Sequence, residues 1–387
     1  MRLFTRRLST NGTKTPAGYS LGARARSPPP PPHWLTTTTT DGTKVTVARP
    51  GRQKPAQPVM RHGMGAGNIL ATWEHDVLPM EEEPVALLRR PKTVSFVGAP
   101  MSWGQPLAGT DYGPQLLRES GVVRALSKVG WRVNDTGDVP VLPPSEAEHR
   151  ADEAYMREHS ANSRNASAVG RMLSSLAQRT EKAASDGDFV LTVGGDHSVA
   201  LGTLFGVLKA RPDTGVLWVD AHADLHTPLS SESGNMHGMP VGILMADDSV
   251  RCKIPGFEWL RGGPRLRPSQ IVYIGCRDLD LAERKQIRAQ NIKCFTMFEV
   301  DKYGVGSVVE QALKHLGPTC PLHLSYDIDA VDPEHAPSTG TVVRGGFNFR
   351  EAHYIAEAIA ESTRLCSMDL VEIKCVHFAL CVLCFWG

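Results

Sequence analysis

The sequence has no acidic residue before Asp41, no cysteine before Cys252, and no excess of charge of either sign. No apolar run approaches the roughly 18 residues that a membrane-spanning helix needs, so neither a membrane span nor a secretory h-region is expected. With 42 Lys and Arg against 41 Asp and Glu, the formal net charge is only +1. Such a balance gives no long-range attraction to nucleic acid or to an anionic membrane, and partners of both kinds are excluded from the expectation. The eight cysteines all fall in the second half without the short regular spacings of a disulfide framework, which fits a reducing compartment. Cys381-x-x-Cys384 is half of a zinc motif with no second pair of ligands after it, and reads as part of an apolar tail. No repeat recurs at 20–50 residues, so a solenoid is not expected.

The missing acids at the start leave Arg2, Arg6, Arg7, Lys14, Arg24 and Arg26 unopposed, followed by a proline run, Pro28 to Pro32, and a threonine run, Thr36 to Thr40. Residues 1–90 lack sustained apolar periodicity and are expected to form a largely disordered leader. Arg-rich, Ser/Thr-containing and acid-free is also the composition of an organellar transit peptide, pointing to the mitochondrion; the alternative is an ordinary basic tail on a cytoplasmic protein. Residues 91–373 have the size and patterning of one α/β domain, and residues 374–387 form an apolar tail.

Within that domain, short apolar β-branched runs alternate with longer helical stretches. Strands are expected at Thr93–Val97, Phe189–Val193, Gly215–Asp220, Gln270–Ile274, Leu322–Asp327 and Asp369–Ile373. Helical spacing covers Tyr155–Ala184, Val199–Lys209, Leu281–Gln290, Gly306–Leu316 and Arg350–Glu361. The alternation predicts an α/β fold of three layers, α/β/α, with a mostly parallel central sheet. Ligands of such sheets bind beyond the carboxyl ends of the strands.

Three of those strand ends carry metal-ligand residue types. Gly194-Gly195-Asp196-His197 follows one strand, Asp220-Ala221-His222-Ala223-Asp224 another, and Asp327-Ile328-Asp329 a third. Period-two alternation puts Asp220, His222 and Asp224 on one face of an extended segment, and Asp327 with Asp329 likewise. Each motif alone has a plainer reading: a glycine-rich turn entering a helix at Ser198, or a solvated strand end. Together they supply four carboxylates and two imidazoles whose mutual repulsion calls for cations. That donor count suits two divalent ions, and oxygen-rich ligation without thiolate favours a hard metal such as manganese. Ions about 3.5–4 Å apart can share an activated water, which supplies a nucleophile without serine or cysteine.

These motifs resemble the ureohydrolase family, and within it the arginases most closely. The resemblance runs from Val97-Gly98-Ala99-Pro100 through Gly113-Pro114, Gly194–Thr203, Asp220–Gly238, Gly275-Cys276-Arg277-Asp278 and Ser325–Thr341 to Asp369-Leu370-Val371-Glu372. It implies two manganese ions, one held by His197, Asp220, Asp224 and Asp327, the other by Asp220, His222, Asp327 and Asp329. It implies a hydroxide bridging them, aimed by Asp224 at the guanidinium carbon of L-arginine, with L-ornithine and urea as products. His237 matches the family's proton shuttle, and Glu372 the carboxylate that receives the guanidinium. Ser233, Asn235 and Asp280 match positions that recognise the amino acid end of arginine, and Thr341 lines the pocket. The resemblance also implies a homo-oligomer, trimer or hexamer.

Two departures stand out. His226 occupies a position where arginases usually carry asparagine near the α-carboxylate. After Glu372, the family's asparagine-proline turn and final helix give way to Ile373-Lys374-Cys375 and an apolar end. They leave two alternatives to arginine hydrolysis: another guanidino substrate such as agmatine, or a catalytically silent subunit.

Overall fold

The computed structural model describes the backbone of residues 34–38 and 44–48 and the whole of residues 88–374. The chain divides into two units, Met1–Leu78 and Pro79–Gly387. In the first, strands β1 (Trp34–Thr38) and β2 (Lys44–Ala48) pair antiparallel, Trp34 opposite Ala48 and Thr38 opposite Lys44. The reading of residues 1–90 as a leader without strands did not include this hairpin; the threonine and valine residues that dominate it are β-branched and suit a pleated strand. Apart from residues 88–90, the rest of the expected leader, and the tail from Cys375 with its Cys381-x-x-Cys384, lie outside the described residues.

The second unit holds an eight-stranded sheet in the order β4-β3-β5-β10-β9-β6-β7-β8, every pairing parallel. Its strands are β3 (Thr93–Ala99), β4 (Arg132–Asp138), β5 (Phe189–Gly194), β6 (Gly215–Val219), β7 (Ile271–Cys276), β8 (Lys293–Thr296), β9 (Leu322–Asp327) and β10 (Leu365–Val371). The six inner strands are buried along their whole length, which is why their sequences read as unbroken apolar runs. The two edge strands escaped the sequence reading for the converse reason: β4, Arg-Val-Asn-Asp-Thr-Gly-Asp, is polar and largely exposed, and β8 has only four residues. β10 begins four residues earlier than expected, because Ser367 to Leu370 pair with both neighbours despite the polar Ser367 and Asp369.

Successive side chains along a strand enter opposite faces. Val216 and Trp218 of β6 join the core under α4 (Ala166–Asp186) and α5 (Val199–Ala210), while Leu217 and Val219 join the core under α1 (Gly113–Ser120), α10 (Val305–His315) and α11 (Phe349–Glu361). Helices therefore cover both faces, and the three-layer α/β/α expectation holds.

The single helix expected over Tyr155–Ala184 is instead two. α3 spans Glu146–His159, started by a capping box of Ser145 and Glu148, and α4 begins at Ala166. Ser160 and Asn165 between them take left-handed backbone, φ 49° and 56°. Apolar periodicity carries through this break and hides it. The break fastens the loop Thr227–Gly238: the Asn162 amide donates to the Pro228 carbonyl at 2.7 Å, its Nδ2 to the Glu232 carbonyl at 2.7 Å, and the Arg164 amide to the Gly234 carbonyl at 2.7 Å.

Gly195 locks the ends of three strands. Its amide donates to the Ala99 carbonyl at 2.9 Å, and its carbonyl accepts from the Glu372 amide at 2.9 Å. A Cβ there would sit 2.0 Å from the Met101 carbonyl oxygen. Gly195→Ala is expected to destabilise the fold by about 3 kcal/mol or more, the upper range for overpacking, because backbone has to move. Chemical denaturation measures it, and a change under about 1 kcal/mol contradicts the packing described.

Candidate metal centre

β5, β10, β9 and β6 are four consecutive neighbours, although the chain passes from β5 to β6 before it makes β9 and β10. The sheet's order reverses there, and loops beyond the carboxyl ends diverge to leave a crevice. Register sets which side chains meet in it. Val219 lies opposite Tyr326 and Asp327 opposite Val371, so that Asp220, Asp327 and Glu372 leave adjacent strands at one level.

His197 Nδ1 lies 2.9 Å from Asp220 Oδ2, 3.1 Å from Asp224 Oδ2 and 3.1 Å from Asp327 Oδ2. None of the three carboxylates meets hydrogen-bond geometry with this buried nitrogen. The other side of the ring explains why. Ser325 Oγ donates to Asp369 Oδ1 at 2.6 Å, so toward His197 Nε2, at 2.9 Å, it can only accept. The proton is thereby placed on Nε2, and the Nδ1 lone pair faces three carboxylate oxygens. Lone pair against anions is repulsive; a cation between them satisfies all four, and this donor set fits one.

The second grouping shares Asp220. Asp220, His222 and Asp329 each offer an atom within 4.8 Å of the others, as do His197, Asp220 and Asp224. His222 Nδ1 stands 3.1 Å from Asp329 Oδ2 and 3.4 Å from Asp220 Oδ1. Two hydrogen bonds hold the carboxylates in place: the Asp329 amide donates to Asp327 Oδ1 at 2.8 Å and Thr341 Oγ1 to Asp329 Oδ2 at 2.9 Å. Trp218 stacks on His197 with ring centroids 4.2 Å apart and donates Nε1–H to Asp220 Oδ2 at 3.0 Å. Charge in this pocket has to be balanced. Burial and the neighbouring Asp329 and Asp220 push Asp327 well above the carboxylate range; burial and Asp220 push Asp329 to about 6. For His222 burial works downward, and Asp220 and Asp329 outweigh it, raising the imidazole to about 12. These shifts mark charge that bound cations would neutralise.

Glu372 and His237 face the same crevice. Glu372, fully buried and at φ 62°, accepts from the His197 amide at 3.0 Å on Oε1, which also lies 3.2 Å from His237 Nδ1. Burial alone would raise its pKa; the bonds from His237, Gln105 and the His197 backbone outweigh that and hold it below its ordinary value. Asp224 is also left-handed, at φ 48°, and such non-glycine conformations cost about 1–3 kcal/mol each.

Ser233, Asn235 and His237 share the fastened loop. Ser233 Oγ accepts from the Asn235 amide at 3.2 Å, and no hydrogen bond joins either residue to the metal donors. His226 Nε2 lies 3.0 Å from Asp280 Oδ2, and Nδ1 lies 3.2 Å from Ser230 Oγ. Asp280 caps α8 (Leu281–Ala289) in a capping box with Glu283, a buried carboxyl raised to about 7 by burial and by Asp224.

The sequence reading did not single out Gln105, Ser325, Asp369 or Glu283 for a role. Ser325 and Asp369 looked like strand residues, and only cross-strand register makes them a support for His197. Asp280-x-x-Glu283 carries a legible capping signature; Gln105, in a loop, carried no signal.

A parallel α/β/α sheet whose central strand ends gather donors for a pair of divalent ions defines a binuclear metallohydrolase. Residues 92–377 match the model of the arginase family. The chain is 46% identical over 308 residues to an arginase of Glaciozyma antarctica, covering 79% of this chain and 86% of that one. It is 41% identical over 296 residues to "Arginase-2, mitochondrial" of Mus musculus, covering 75% and 80%. Among solved structures, the Entamoeba histolytica arginase in complex with L-ornithine aligns with TM-score 0.65 at 29% identity, covering 76% of this chain and 99% of its own. The chain belongs to the arginase family, and is a metal-dependent amidinohydrolase.

Asp220 belongs to both donor groups. In wild-type protein, divalent manganese at 100 times its dissociation constant is expected to add about 2.7 kcal/mol to unfolding. Asp220→Asn is expected to lose most of that gain. Metal-dependent stabilisation of the variant equal to wild type, read by denaturant melts with and without chelator, refutes the shared role.

Proposed function

We propose that this chain hydrolyses L-arginine to L-ornithine and urea, with two manganese ions held by His197, Asp220, His222, Asp224, Asp327 and Asp329. The observation that carries it is Asp220 common to two donor groups, with Glu372 and His237 paired beside them. Manganese held by these donors would lower the pKa of a bound water toward neutrality. The chain's own residues supply the rest. Glu372 is a buried anion at the crevice and suits the planar fork of a guanidinium, which favours two parallel bonds to a carboxylate. Asp224 is held in its unusual backbone conformation so that its carboxylate aims the nucleophile. His237 keeps a proton because Glu372 offsets the effect of burial, which alone would strip it; that proton can pass to the departing amino nitrogen. Ser233, Asn235, Asp280 and His226 receive the amino acid end, and Thr341 steadies Asp329 at the pocket wall.

The named relatives are arginases, and one structural neighbour is an arginase in complex with L-ornithine, the product expected here. Agmatine as substrate and a silent subunit draw no comparable support. Purified, manganese-loaded protein is expected to release urea from L-arginine, and His197→Ala to abolish it. Asp224→Asn is expected to retain part of the metal while turnover falls by about 10²-fold, in the range seen when one preorganised group is lost. Wild-type activity no greater than that of His197→Ala rejects the function, and near-normal turnover of Asp224→Asn rejects that residue's role.

A mitochondrial destination is the reading that the acid-free, Arg-rich start and the mouse relative's name support. Residues 1–90 fused to a fluorescent protein are expected to direct it to mitochondria; diffuse cytosolic signal contradicts this.

A further inference from the structure

Glu372 has two oxygens with unequal company. Oε1 takes the His197 amide and faces His237, whereas Oε2 takes a single bond, from Gln105 Nε2 at 2.6 Å. Gln105 is itself buried, and its Oε1 accepts from Lys374 Nζ at 3.3 Å. Lys374 Nζ also donates to the Leu107 carbonyl at 3.3 Å, and the Lys374 amide donates to the Ser338 carbonyl at 3.0 Å. Gly340 closes over the pair: a Cβ there would meet Gln105 Oε1 at 2.4 Å and Glu372 Oε2 at 2.8 Å.

An amide is nearly symmetric in shape and opposite in charge at its two ends. Turned around, Gln105 would set its carbonyl oxygen against the Glu372 carboxylate. Lys374, on the far side, makes the observed orientation the favourable one, since an ammonium has only donors. The neutral amide matters as a spacer too. A lysine bonded straight to Glu372 would neutralise the carboxylate and compete with any cationic substrate. Held one amide away, it orients the carboxylate and leaves its charge available.

We infer that Gln105 is a positioning residue, oriented by Lys374, that fixes the direction in which Glu372 presents its carboxylate to the substrate's guanidinium. The inference rests on the reading that Glu372 receives that group. It also gives Lys374, where this chain leaves the family pattern, a part in the site.

The experiment is steady-state urea release from L-arginine by manganese-loaded full-length protein carrying Gln105→Leu, Lys374→Met, Lys374→Arg, the Gln105→Leu/Lys374→Met pair, or Glu372→Gln. Gln105→Leu is expected to raise KM about tenfold and to lower kcat by less, the scale of one hydrogen bond to a charged group. Lys374→Met moves KM the same way by a smaller factor, Lys374→Arg restores it, and the double variant is no worse than Gln105→Leu alone. An unchanged KM in Gln105→Leu, or effects of the two single variants that multiply in the double, overturns the inference. Should Gln105→Leu fail to fold, judged by its thermal melt, Lys374→Met against Lys374→Arg decides: equal KM values overturn it. Glu372→Gln separates the two levels. A wild-type KM in that variant removes the underlying reading, whereas a raised KM there beside a normal KM in Gln105→Leu removes only the role of Gln105.

Discussion

Repulsion among buried carboxylates is the constraint around which the rest of this molecule is arranged. Two unit charges within 4.8 Å, the span of the His197, Asp220 and Asp224 donor atoms, repel by roughly 3 kcal/mol at an effective dielectric of about 20. Asp220 shares such a span with both Asp224 and Asp329, and two repulsions of that size already rival the whole net stability of a typical domain, about 5–15 kcal/mol. The fold tolerates them because six fully buried parallel strands leave it no freedom to spread them apart.

Around this charge the chain commits its other polar groups. A column of side chains beneath the site runs from His197 through Ser325 to Asp369 and on to His323, whose Nε2 lies 2.9 Å from Asp369 Oδ2. Cross-strand register builds it: Ser367 pairs with His323 and Asp369 with Ser325 on neighbouring strands. Its effect is to assign one proton, the one on His197 Nε2, and so to aim a lone pair into the crevice. The Gln105 and Lys374 chain does the corresponding work for Glu372. In both cases a buried ionisable group is held by a neutral hydrogen-bonding residue with a charged one behind it.

Left-handed backbone marks where the chain is bent to this purpose. Asp224 and Glu372 are both at positive φ, and so are Ser160 and Asn165 at the break that secures the loop of Ser233, Asn235 and His237. The first pair turns two carboxylates into the crevice directly. The second acts at a distance, through three backbone and side-chain bonds to that loop.

Much of this was legible in the amino acid order. Apolar runs located the six inner strands, and the acid-His-acid alternation of Asp220 to Asp224 with Asp327 and Asp329 marked side chains that the fold does bring together, because ligand chemistry restricts residue type as well as spacing. The edge strands β4 and β8 were not legible, since an exposed edge needs no apolar run, and neither was the helix break at Ser160 to Asn165, which apolar periodicity spans without interruption. Only the tertiary structure decided which strands are neighbours. That order, with β9 and β10 inserted between β5 and β6, brings Glu372 to His197 and Gln105 to Glu372 across 175 and 267 residues of chain. Sequence fixes what a side chain can do locally; strand register fixes what it does it to, because pairing acts between segments whose separation along the chain carries no information about their distance in space.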